Sequence, residues 1–225
     1  MTEFLLLFLL ISILTNIPVI GPYIGLFNTM VHESGHAFVA YVTGGRVRSI
    51  SLFANTEGLA VFEYRHWFGR VLTILAGYPI SSFVSVIFIY GIKMEYYLYL
   101  GLALFGLLLY NLVFWVRNFV GWIWVLTVLL GLTFMYYFEY VEAWKMVLNI
   151  IGISLLIQAF ISSWTIFVMS LKDKGRAGDA AFLAEATYVP AVIWGLLFLV
   201  QGTIFFIVGI MIWFGYDIMT IFKGN

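Results

Sequence analysis

The sequence predicts an all-α integral membrane protein: a polytopic bundle of six or seven transmembrane helices with a short β-hairpin after the second apolar segment. Two observations predict this fold class. Of 225 residues, 64% are hydrophobic and only 10% are charged, whereas a soluble domain is about one-quarter charged. The apolar residues also fall into runs of roughly 20, the length a helix needs to cross a hydrocarbon core. Six or seven such runs use up the chain, so residues 1–225 read as a single membrane domain. The formal net charge is zero, which gives no basis for binding nucleic acid. The absence of cysteine excludes disulfides and thiolate-bound metal.

Segment one runs from about Glu3 to Val19. Its apolar stretch, Phe4 to Ile17, lacks a basic start and a small-residue cleavage site, so it reads as a retained anchor. Pro18, Gly21 and Pro22 break the chain. Segment two, about Tyr23 to Thr43, ends at Gly44-Gly45, a helix C-terminal signal. Val47 to Phe53 and Leu59 to Tyr64 have β-type composition around an Asn55-Thr56-Glu57-Gly58 turn. They read either as a hairpin over 47–64 or as an ordinary surface loop. A hairpin there would offer a free edge to an extended peptide.

Segment three is about Phe68 to Tyr90, and Pro79 is expected to bend or interrupt it. Segments four, five and six are about Tyr96 to Trp115, Phe119 to Tyr137 and Val141 to Leu171. A polar stretch over 172–189 follows, with Asp179 as a helix N-cap ahead of a short run of helix formers. Pro190 precedes segment seven, about Ala191 to Tyr216.

Segment two carries Val31-His32-Glu33-Ser34-Gly35-His36-Ala37, an H-E-x-x-H motif. One helical turn separates His32 from His36, so both imidazoles can reach one metal ion. Glu33 lies beside them, placed to take a proton from a water at that ion. The chain has three histidines in all, and ionisable groups at membrane depth are costly unless they serve a function. Zinc is the expected cofactor, held by two histidines and a third protein ligand with one position open. Asp173, Asp179, Glu185, His66, Glu57 and Glu63 are the candidates for that ligand. Asp179 is preferred because Gly178, Ala180 and Ala181 let another helix come close, and Glu185 is second. Asn111, Asn118 and Gln158 are candidates, by polarity alone, for donors to a tetrahedral intermediate.

An odd-even count over seven spans puts Arg46, Arg48, Arg65, Arg70, Arg117, Lys172, Lys174 and Arg176 on one side. Lys93, Lys145 and Lys223 fall on the other. The more basic side is expected to be cytoplasmic, together with the N-terminus. His36 lies eight residues before Gly44, roughly 12 Å from the cytoplasmic end of its helix. The 172–189 stretch falls on the same side, so a carboxylate from it can meet the two histidines.

Four stretches resemble the site-2 protease family of intramembrane zinc metalloproteases, and most closely its small bacterial members without a PDZ domain. They are His32-Glu33-Ser34-Gly35-His36-Ala37, Thr43-Gly44-Gly45-Arg46-Val47, Leu75-Ala76-Gly77-Tyr78-Pro79 and Asp179-Ala180-Ala181. The resemblance implies zinc bound by His32, His36 and Asp179, with Glu33 as general base. It implies a membrane-protein substrate cut within the lipid bilayer of a bacterial cell. Two departures stand out: Ser81 and Ser82 where the family commonly has Asn, and Gly178-Asp179-Ala180 in place of its usual late Asp segment. Two other readings use some of these residues. One is a proteolytically inactive membrane protein whose metal site serves regulation. The other is a transporter with buried His and Asp as a relay, which would call for repeated halves that the sequence lacks.

Overall fold

A computed structural model describes residues 9–15 and 17–216. Residues 3–8 and 16 of segment one, and Lys223, lie outside the described residues; residues 9–14 are helical. The elements that follow are α1 (Ile20–Val42), β1 (Arg46–Leu52), β2 (Gly58–Glu63), α2 (Trp67–Lys93), α3 (Tyr97–Phe114), α4 (Phe119–Tyr137) and α5 (Val141–Lys172). After them come a 3-10 turn (Lys174–Arg176), α6 (Gly178–Thr187) and α7 (Ala191–Trp213). Five of these helices, α2, α3, α4, α5 and α7, are long and apolar enough to cross a membrane. At 23 residues α1 is also long enough, about 35 Å. Its middle carries Asn28, Thr29, Glu33, Ser34 and His36, all buried against protein.

Helix α1 ends where the paired glycines predict. Gly44 takes φ +79°, and its N–H bonds Tyr41 O while that of Gly45 bonds Ala40 O. The hairpin is present, with antiparallel pairs from Arg46–Glu63 to Leu52–Gly58 and an irregularity between Val47 and Ser49. Of the two outcomes expected at Pro79, a bend or an interruption, the second does not occur, because α2 runs unbroken through it. Proline removes one N–H from the ladder, but here the helical assignment continues on both sides.

Helix α2 is central, packing on α1, α5 and α7. Gly35 lets α1 approach it closely, since a Cβ there would stand 3.0 Å from that of Ile80. The contact of α5 with α7 rests on a seven-residue repeat of glycine. A Cβ at Gly195, Gly202 or Gly209 would meet Ser170 Oγ at 2.6 Å, Ser163 Oγ at 2.7 Å or Leu156 Cδ1 at 2.6 Å. Both helices therefore show matching faces every two turns, which suits close helix packing in lipid.

One end of the bundle gathers the hairpin, the 115–118 turn and α6. The outer edge of β1 is satisfied by that turn: Ile50 N–H bonds Trp115 O at 2.7 Å, and Arg117 N–H bonds Ile50 O at 3.1 Å. Asn118 clasps the strand further along, accepting from Leu52 N–H and donating to Leu52 O. Trp67 Nε1 donates to Ala186 O, which ties the start of α2 to the end of α6.

Candidate metal centre

Helices α1, α2 and α6 meet at one point. His32 Nε2 and His36 Nε2 are 3.0 Å apart, and Asp179 Oδ2 lies 3.2 Å from each. Three donors bonded at 2.0–2.1 Å to a tetrahedral ion would stand about 3.3 Å from one another. The observed triangle has nearly that size, and these three residues could hold a metal ion.

The surroundings fit that use. His36 Nδ1 is 2.7 Å from the Thr73 carbonyl oxygen of α2. A carbonyl only accepts, so Nδ1 carries the proton and Nε2 keeps its lone pair for a metal. Asp179 Oδ2 is buried and makes no hydrogen bond of acceptable geometry despite its two close neighbours. Gly77 makes room for the cluster: a Cβ there would lie 2.5 Å from His36 Nε2 and 2.6 Å from His32 Nε2.

Asp179 is not the N-cap that the sequence suggested. Ala177 occupies that position, and Asp179 sits in the first turn of α6. The other third-ligand candidates are engaged elsewhere or point out. His66 caps α2, its Nδ1 accepting from Gly69 N–H at 2.8 Å. Glu185 pairs with Arg70 at 3.0 Å, Asp173 with Arg176 at 3.6 Å, and Glu63 with Arg48. Glu57 is exposed in the hairpin turn.

Glu33 is buried beside the cluster, pressed against the start of β2. A Cβ at Gly58 would stand 2.8 Å from Glu33 Cγ and 2.7 Å from Thr29 Cγ2. Two cavities flank the carboxylate. One, of about 110 Å³, runs along β2 past Ala60, Phe62 and Tyr64 to His36 and Asp179. The other, of about 310 Å³, lies toward Asn28, His32 and Tyr78.

In an antiparallel ladder, alternate residues turn their N–H and C=O outward. Ile50 turns its groups away from β2, so its non-bonded partner Ala60 turns away from β1, toward Glu33 and the first cavity. Among the described residues, no third strand pairs with this edge of β2.

Two of the three polar residues singled out as donors to an intermediate, Asn111 and Asn118, are bonded elsewhere. Asn111, on α3, is fully buried behind the motif and donates to Ser34 Oγ at 3.0 Å. Asn118 holds β1, and Gln158 lies on α5. The role of Thr73 was not readable in the sequence, because it acts through its backbone carbonyl.

No curated protein and no solved structure matches the chain. The profile of the Peptidase M50B-like family matches residues 4–209. That match covers nearly the whole chain, including every element of the metal cluster, and the chain therefore belongs to the Peptidase M50B-like family, within the site-2 protease group that its motif helix resembles.

Proposed function

We propose that this protein is an intramembrane zinc metallopeptidase that hydrolyses peptide bonds of membrane-embedded substrates. The observation that carries the reading is the convergence of His32 Nε2, His36 Nε2 and Asp179 Oδ2 at 3.0–3.2 Å, next to the buried Glu33. Zinc held by these three residues would polarise the scissile carbonyl and make water a better nucleophile at neutral pH. The Thr73 carbonyl keeps the His36 ring oriented for that role. Glu33 accepts the proton of the attacking water on its carboxylate and passes it to the departing amine.

A transmembrane substrate must first unwind, because a helix keeps its carbonyls in its own hydrogen bonds. The outward row of β2, including Ala60, suits an unwound segment as an added strand and leads it past Glu33 and Asp179. The segments that gather at this end carry Arg46, Arg48, Arg65, Arg70, Arg117 and Arg176. Their charge supports a cytoplasmic location for this end, with the N-terminus on the same side; the bacterial cell membrane as host rests on the resemblance to the small bacterial members of the family.

The test is metal analysis of the purified protein together with cleavage of membrane-spanning peptides. The expected result is about one zinc per chain, with cleavage by wild-type protein and none by Glu33→Gln. A Glu33→Gln variant that has lost its zinc, or that cleaves normally, removes the base role. A zinc-loaded wild type without cleavage favours the regulatory reading.

A further inference from the structure

Beside the metal cluster, two polar side chains face the cavity that reaches from Tyr78 to Gly58 at the start of β2. Asn28 precedes His32 by four residues and shares its face of α1. It is 7% exposed, and its Oδ1 has no hydrogen-bond partner. Tyr78, on α2, is 8% exposed. Its ring stands edge-on to the His32 imidazole at 4.7 Å and packs on Phe198 at 4.5 Å. Among the described residues its hydroxyl makes no hydrogen bond. Phenylalanine would fill the same space, so packing does not account for the hydroxyl. Buried polar groups are nearly always paired, so the unpartnered Asn28 Oδ1 marks a place for a ligand, and the Tyr78 hydroxyl opens onto the same cavity. Both residues line the 310 Å³ cavity, together with His32, Glu33 and Asp179.

Resting on the peptidase reading above, we infer that the Tyr78 hydroxyl and the Asn28 carboxamide donate hydrogen bonds to the scissile carbonyl oxygen as it gains negative charge. A half-turn of the carboxamide presents Nδ2 in place of Oδ1, the two orientations being nearly equal in shape. In the step they serve, the water oxygen bonds to the carbonyl carbon and the π pair moves onto the carbonyl oxygen. The water proton goes to Glu33. The C–N bond then breaks, the carbonyl re-forms, and the proton on Glu33 passes to the amine nitrogen. Donors fixed in a dry site where charge develops stabilise the transition state more than the substrate.

The test uses the zinc-loaded full chain in liposomes with a mixture of single-span Leu/Ala peptides, each carrying one helix-breaking pair. Products are read by mass spectrometry and rates are taken on the best-cleaved peptide. Tyr78→Phe keeps the ring and is expected to lower kcat on the order of 100-fold, with KM and bound zinc unchanged. Affinity for a phosphinic analogue of that peptide, which mimics the tetrahedral carbon, should fall in parallel. Asn28→Leu should act in the same direction. Wild-type kcat in Tyr78→Phe, or a fall in kcat accompanied by lost zinc, overturns the inference and leaves the peptidase reading standing. A wild type that cleaves none of the peptides, or a Glu33→Gln variant that cleaves as fast as wild type, strikes the underlying reading and takes the inference with it.

Discussion

His36 Nδ1 is held 2.7 Å from the carbonyl oxygen of Thr73, one turn before the glycine that seats both imidazoles. This contact settles which nitrogen of His36 bears the proton. It also makes α2 as much a part of the candidate metal site as α1, although α2 supplies none of the three residues that could hold an ion. The precision of the site therefore depends on how closely the two helices approach.

That dependence is tested at Gly77. Gly77→Ala should abolish metal binding, because its Cβ would fall 2.5 Å from His36 Nε2. Alanine favours a helix more than glycine does, so lost helicity would not explain the result. Gly106→Ala on α3, where a Cβ meets nothing within 4 Å, is the control and should keep its metal. Metal content of the purified variants decides the matter.

Asp179 and Glu185 lie six residues apart on α6 and should behave differently. Asp179→Ala should lose the metal. Glu185→Gln removes an exposed pair with Arg70 and should change stability by no more than about 0.5 kcal/mol. Metal analysis and thermal melts in detergent separate the two.

Metal retention should fall with acid. The ligands bind only when deprotonated, so protons compete with the ion and affinity drops as pH falls. Dialysis against a weak chelator at a series of pH values should strip the metal on the acid side and spare it on the alkaline side. Retention that rises toward acid would contradict this ligand set.

If substrate adds to β2 as a strand, its own backbone N–H groups take part. Peptides N-methylated at alternate positions on one side of the scissile bond should show a raised KM, and the same change one residue along should have little effect. Equal KM values for the two series would remove strand addition.

Much of this was readable in the sequence, because the signals were local. The one-turn spacing of His32 and His36, the Gly44-Gly45 stop and the hairpin turn each express short-range chemistry. Asp179 was readable as a candidate through its small neighbours, but its true position in the first turn of α6 depends on where that helix begins. Long-range relations were hidden. The Asn111–Ser34 bond and the Asn118 clasp on Leu52 join residues far apart in the chain. The glycines at 195, 202 and 209 are visible as a repeat, but their partners Ser170, Ser163 and Leu156 emerge only when α5 and α7 pack.

The most direct test is anomalous scattering at the zinc edge from crystals of the zinc-loaded protein. The account predicts one strong peak about 2.0–2.1 Å from His32 Nε2, His36 Nε2 and an oxygen of Asp179. A map with no peak among these three residues, or with zinc bound by other side chains, would contradict it.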